Sequence, residues 1–284
     1  METITYRNSQ GAVIDFTGPI YRLIAIDGLG GVDADVQTES APFLDGSVLL
    51  DVLLQERDIA LTLRVKGSSY RDIVANRNRL GAIMNPKLGL GTLRVQKDDY
   101  VREIACVSSA VPMFASGLSN QNQSFQSAIV NLLAPDPYFN SENIEEQPAI
   151  LPLFEFPFEG EVEMGEQQER RIINNDSDAP APVMIEFFGP AVNPTITNLT
   201  TGEFIRVRRT LEEGDELYID TNPNTREVSL ILSDGTREDV TAWIDLASTF
   251  FSLGIGENDI EYSADDGIDM AVVNIFYKKR YTTA

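Results

Sequence analysis

The sequence contains no histidine and one cysteine in 284 residues. Without imidazole there is no histidine-dependent serine or cysteine triad, no His-ligated zinc, no HExxH helix and no zinc finger. Carboxylate or lysine chemistry and calcium binding stay open. The one thiol, Cys106, excludes an intrachain disulfide, and its setting in VREIACVSS reads as a small core side chain rather than a nucleophile. No stretch reaches the roughly 20 apolar residues of a membrane span, and the start lacks the basic-then-apolar pattern of a signal peptide. A soluble chain without a leader or membrane anchor is expected. Cations are scarce as well, 22 Lys and Arg against 44 Asp and Glu for a net charge of −22. Such acidity repels a phosphate backbone and argues against specific nucleic-acid binding.

With 43% apolar residues the chain is globular, and its length suits two domains that each bury a core. Charge divides them. Residues 1–140 hold twelve bases against fifteen acids, and residues 141–284 hold ten against twenty-nine. Between them lies FQSAIVNLLAPDPYFN, Phe125–Asn140, strand-like at first and then stopped by Pro135 and Pro137, which cannot donate to a ladder.

Upstream, Ile4–Tyr6, Ala12–Thr17 and Tyr21–Ile26 read as short strands. In Arg57–Lys66, Ile59, Leu61, Leu63 and Val65 alternate with polar or small residues, which predicts a strand with one core face. A helix is predicted over Ser69–Met84: Ser69 and Asp72 form a capping-box pattern, and Asn85-Pro86 closes the far end. Tyr70, Ile73, Val74, Leu80 and Met84 gather on one side of it, with Arg77 projecting into that stripe. Arg77 either lays its stem on the sheet with its head in water, or pairs with a carboxylate of this chain or of a neighbouring subunit. GLGGVDAD, Gly28–Asp35, follows a strand as a dinucleotide loop would. It lacks the third glycine and the following helix, so it reads as a turn. The expected first domain, 1–140, is α+β: antiparallel strands plus one helix.

Residues 141–169 contain nine Glu and no base, yet carry Leu153, Phe154, Phe156 and Phe158, so an extended connector packing on the second domain is expected. From 170 to 284 short strand candidates recur with turns at the spacing of a β-sandwich, and the whole is expected to be mainly β. Asp220-Thr221-Asn222-Pro223-Asn224 begins like a calcium loop, but Thr225 and Ile231 stand where glycine and glutamate are needed, which favours a hairpin turn. Asp265, Asp266 and Asp269 form a second acidic cluster, read as a solvated loop. Trp243 could stack on a sugar or fill the core beside Ile244 and Leu246. No catalytic residue, cofactor or metal site is assigned.

Taken in order, NPKLGLGTL (Asn85–Leu93), LLAPDPYF (Leu132–Phe139), INNDSDAPAPVMIEFFGP (Ile173–Pro190), NPTITNLTTGEFIRV (Asn193–Val207), GDELYIDT (Gly214–Thr221) and FSLGIGENDIEY (Phe251–Tyr262) resemble the distal tail protein family of long-tailed phages. The resemblance implies a non-enzymatic hub at the distal end of a virion tail, made in the host cytoplasm. It implies a homohexameric ring of N-terminal domains, stacked on the tail-tube protein and receiving the tail-associated fibre or lysin protein below. DNA passes through without specific binding. The C-terminal domain is implied to be a galectin-like β-sandwich where receptor-binding proteins attach. Pro135, Asp136, Pro137 and Tyr138 then become an interdomain hinge, and Arg77 a candidate subunit-interface ion pair. A working galectin site resembles H-x-N-x-R plus W-G-x-E-x-R, which this chain lacks: Trp243 is followed by Ile244 and Asp245. The alternative function is a carbohydrate-binding tail or surface module.

Overall fold

The computed structural model describes residues 2–40, 42–43, 45–98, 100–117, 119–147, 169–267 and 271–284. They form two compact units, Met1–Glu142 with Tyr281–Ala284, and Asn143–Arg280. Residues 281–284, expected with the sandwich, thus belong to the first unit. Leu153, Phe154, Phe156 and Phe158 of the expected connector lie outside the described residues, as does Asp269.

Unit 1 contains β1 (Thr3–Arg7), β2 (Val13–Asp15), β3 (Tyr21–Asp27), β4 (Ala34–Glu39), β5 (Val48–Leu54), β6 (Arg57–Lys66), α1 (Tyr70–Ile83), β7 (Gly91–Lys97), β8 (Tyr100–Ser108), β9 (Met113–Phe114), β10 (Phe125–Ala134) and β11 (Phe139–Ser141). The main sheet runs β2-β1-β7-β8-β10-β6-β3, with antiparallel pairing throughout. The alternation in β6 does what its period dictates: Ile59, Leu61, Leu63 and Val65 are buried while Asp58, Ala60, Arg64 and Lys66 are exposed. Arg57 is in phase with the buried set and goes inside with it.

Helix α1 carries the expected capping box. The Ser69 hydroxyl accepts from the Asp72 N–H at 3.2 Å and the Asp72 carboxylate from the Ser69 N–H at 3.1 Å. Its buried stripe is Ile73, Leu80 and Ile83, followed by Met84; Tyr70, at the first helical position, is 60% exposed instead. Leu80, Ile83 and Met84 join the inner faces of β1, β6, β7 and β10 in one core. Cys106 belongs to it, and burial pushes its thiol up to about 12.

Among the described residues, strands β4 and β5 pair only with each other, as a two-stranded sheet. Sequence periodicity does not anticipate this hairpin, because VLLDVLL fits neither a two-residue nor a helical repeat and no core face organises it.

Unit 2 comprises β12 (Glu145–Gln147), β13 (Glu169–Asn175), β14 (Ala181–Phe188), β15 (Ala191–Val192), β16 (Thr195–Asn198), β17 (Glu203–Arg206), β18 (Thr210–Leu211), β19 (Glu216–Asp220), β20 (Glu227–Ile231), β21 (Arg237–Asp239), β22 (Ser252–Leu253), β23 (Gly256–Ser263) and β24 (Val272–Tyr277). One sheet runs β12-β24-β14-β19-β20-β21, a second β13-β23-β16-β17, and both supply one apolar cluster. Phe187 of β14 meets Tyr262 of β23 edge-on, centroids 5.9 Å apart and planes at 88°, which joins the two layers. The expected sandwich is therefore present.

Candidate functional site

The most tightly built polar feature of unit 1 surrounds Arg57, which is 1% exposed. Its Nε donates to the Pro137 carbonyl at 2.8 Å, Nη1 to the Gly28 and Gly31 carbonyls at 2.8 and 3.2 Å, and Nη2 to the Thr282 carbonyl at 2.6 Å. The guanidinium carbon lies 5.0 Å from the Phe139 ring centroid. Four backbone dipoles and a π face replace water, and burial draws the arginine pKa down. Three chain segments distant in sequence are thereby tied to one planar fork, a task that the single nitrogen of lysine cannot match.

Each segment is shaped for this. Gly28 has φ +89°, and a Cβ there would stand 2.0 Å from the Asp58 carbonyl oxygen, so only glycine lets the loop come close enough to present its carbonyls. GLGGVDAD is thus a turn that serves Arg57. Residues 281–284 are held further by the Ala284 N–H donating to the Leu29 carbonyl at 3.0 Å and by Arg102 stacking 3.1 Å over the Tyr281 ring.

Pro135, Asp136, Pro137 and Tyr138 make the corner between β10 and β11. The Asp136 carboxylate accepts from the Tyr138 N–H at 3.3 Å, Arg57 holds Pro137, and β11 pairs with β8 through Asn140–Glu103 and Ser141–Arg102. The corner lies inside unit 1, and the chain passes to unit 2 after Glu142 and returns before Tyr281. Arg77 stacks 4.5 Å from the Phe114 ring centroid, and its buried Nε has no hydrogen-bond partner; among the described residues no carboxylate pairs with it.

In unit 2 the candidate ligand sites are occupied by their own neighbours. Asp220 Oδ1 accepts from the Asn222 N–H at 2.9 Å and Oδ2 from the Thr225 hydroxyl at 2.6 Å, closing the β19–β20 turn. Asp265 is held by Asn193 and by Arg206, each at 2.7 Å, and these contacts keep its carboxyl below the usual range. Among the described residues no group of three potential metal ligands occurs. Trp243 packs against the core, with the Arg209 guanidinium 3.6 Å from its ring centroid. That ring face is closed to a sugar.

Two family descriptions match the chain. Residues 174–281 match "Siphovirus-type tail component, C-terminal domain", and residues 19–134 match "Phage tail protein RIFT-related domain". No curated protein matches. Among solved structures, the chain is similar to phage SPP1 Dit (gp 19.1), described as a paradigm of the hub adsorption apparatus in phages infecting Gram-positive hosts. That similarity has a TM-score of 0.71 at 12% identity and covers 99% of both chains. It is also similar to a chain of the phage P2 baseplate in its activated conformation with Ca, with a TM-score of 0.56 at 10% identity over 100% of both. At such identities the likeness is one of fold.

Proposed function

The chain belongs to the siphophage distal tail protein (Dit) family, and from that premise we propose that it is the structural hub at the distal end of a phage tail. Six copies close a ring that joins the tail-tube protein to the tail-associated fibre or lysin protein, with receptor-binding proteins attached outside and DNA passing through without specific contacts. The reading rests chiefly on likeness over 99% of both chains to a protein described as a hub. It assigns the protein no catalysis. The carbohydrate-binding alternative loses its best candidate, because Arg209 covers Trp243.

Within this reading Arg77, with its orphaned Nε, meets a carboxylate of the neighbouring copy, and the corner Pro135–Tyr138 sets the direction in which the chain leaves unit 1. Arg77→Met should then weaken assembly; unchanged assembly and stability would sink that contact. Negative-stain microscopy of the purified chain, alone and with its tail-tube partner, is expected to show six-fold rings. A chain that stays monomeric in both preparations while retaining glycans on an array would overturn the hub reading.

A further inference from the structure

In β14, β19, β20 and β24 of unit 2 every second residue points into the core, and the residues between them form the outer face of the sheet. That face carries Met184 and Phe188 on β14, Tyr218 on β19, Ile231 on β20, and Val272 and Phe276 on β24, each partly exposed. Register sets them side by side: Met184 pairs with Phe276 and Phe188 with Val272. The outer side of an antiparallel sheet is ordinarily polar. This one is apolar across four strands.

Two carboxylates interrupt the apolar field. Glu186 stands between Asn274 and Tyr218, and Glu216 between Phe188 and Ile231, so the two acids are diagonal neighbours on adjacent strands. Among the described residues neither makes an ion pair, and Glu186 accepts one long bond, from the Asn274 amide at 3.4 Å. Burial, and then Glu186, push the Glu216 carboxyl above its ordinary value, with Arg237 pulling the other way. Arg237 is the one base in the strands of this sheet, and Glu227 already holds it at 2.7 Å. Residues 141–169 have no base to offer. Opposite Tyr218, Ser229 is 2% exposed and its hydroxyl has no hydrogen-bond partner. Uncompensated acids on a half-dry surface and an orphaned hydroxyl both cost stability in the free chain.

We propose that this face docks a segment of a partner protein that carries arginine or lysine between apolar side chains. The cation stands between Glu186 and Glu216, and the apolar side chains cover Met184, Phe188 and Phe276. Other visitors fit less well. A saccharide would accept and donate hydrogen bonds here but leave two like charges facing each other. A polyanion is repelled, and a second copy brings the same acidic half, ten bases against twenty-nine acids in residues 141–284. The proposal rests on the hub reading, within which the partner outside the ring is the receptor-binding protein.

Biolayer interferometry tests it, with the full-length chain immobilised and the purified receptor-binding and tail-associated proteins of the same tail as analytes. Glu186→Gln with Glu216→Gln removes both charges and keeps the shape. This variant should melt no lower than wild type, because repulsion is relieved, and yet bind the receptor-binding protein about tenfold more weakly. Glu186→Lys with Glu216→Lys should abolish measurable binding. Glu213→Lys with Glu257→Lys makes the same reversal at exposed positions elsewhere on unit 2, and its binding should stay within about threefold of wild type. Folded face variants that bind like wild type, an equal loss in the Glu213 and Glu257 control, or a loss confined to the tail-associated protein would overturn the docking face and leave the hub standing. A wild-type chain that forms six-fold rings but binds no receptor-binding protein overturns this face alone. One that forms no ring, even with the tube partner present, overturns the hub reading whatever the face binds.

Discussion

Arg57 shows how one side chain can decide the path of a chain. Removing it strands up to four carbonyl oxygens, at about 1–3 kcal/mol for each that stays dry. Arg57→Met should lower the melting temperature of unit 1 and leave unit 2 nearly unchanged, which differential scanning calorimetry can resolve if the units melt separately. Arg57→Lys should recover only part of the loss, since one ammonium cannot span Pro137, Gly28 and Thr282. The position was half legible: Arg57 sits two residues before Ile59, in phase with the buried set of β6. Its partners could not be read, because carbonyl groups carry no sequence signature.

At the same scale, unit 2 carries partly or fully exposed carboxylates whose pKa values are depressed, each a small contribution to stability. Asp176 is lowered by the Lys279 ammonium, Asp245 by the Ala247 N–H and then Arg208, Asp259 by Arg170, and Asp265 by Asn193 and then Arg206. A carboxyl held below its unfolded pKa adds stability above that unfolded value and loses it as pH falls through the folded one. Thermal melting of unit 2 should therefore be flat near neutrality and decline as acid titrates the carboxyls below about pH 4. A melting temperature that rose on acidification would contradict these assignments.

Among elements, those with a core to answer to were readable. The alternation of β6 and the capping box of α1 state their own boundaries, and Ser69→Ala should cost about 1 kcal/mol in chemical denaturation of unit 1. Hairpin β4–β5 packs on no core among the described residues, and strands without a core face leave no periodic mark. The segment 281–284 was equally silent, since TTA after Tyr281 has neither bulk nor pattern. Deleting Tyr281–Ala284 should nevertheless loosen unit 1: faster proteolysis within Gly28–Asp33 and around Pro137, and a melting shift similar in direction to Arg57→Met. Unchanged protection of both segments would show that the cage closes without Thr282.

For the whole molecule, the sandwich followed from turn spacing, while the switch from α+β to all-β and the jump in acidity led to an expected first domain of 1–140 where the structure has a unit of Met1–Glu142 with Tyr281–Ala284. What neither could show is that unit 2 is an insertion, with unit 1 on both sides of it in sequence. The insertion fixes an order in time. Thr282 follows Arg57 by 225 residues, so at roughly 5–20 residues per second of synthesis the arginine waits tens of seconds for its last ligand. Through that interval the first unit is unfinished while the second is already being made. A chain cut short anywhere in the sandwich carries an unfilled cage around Arg57, so the contact that ties the finished first unit together also separates chains that reach Thr282 from those that do not.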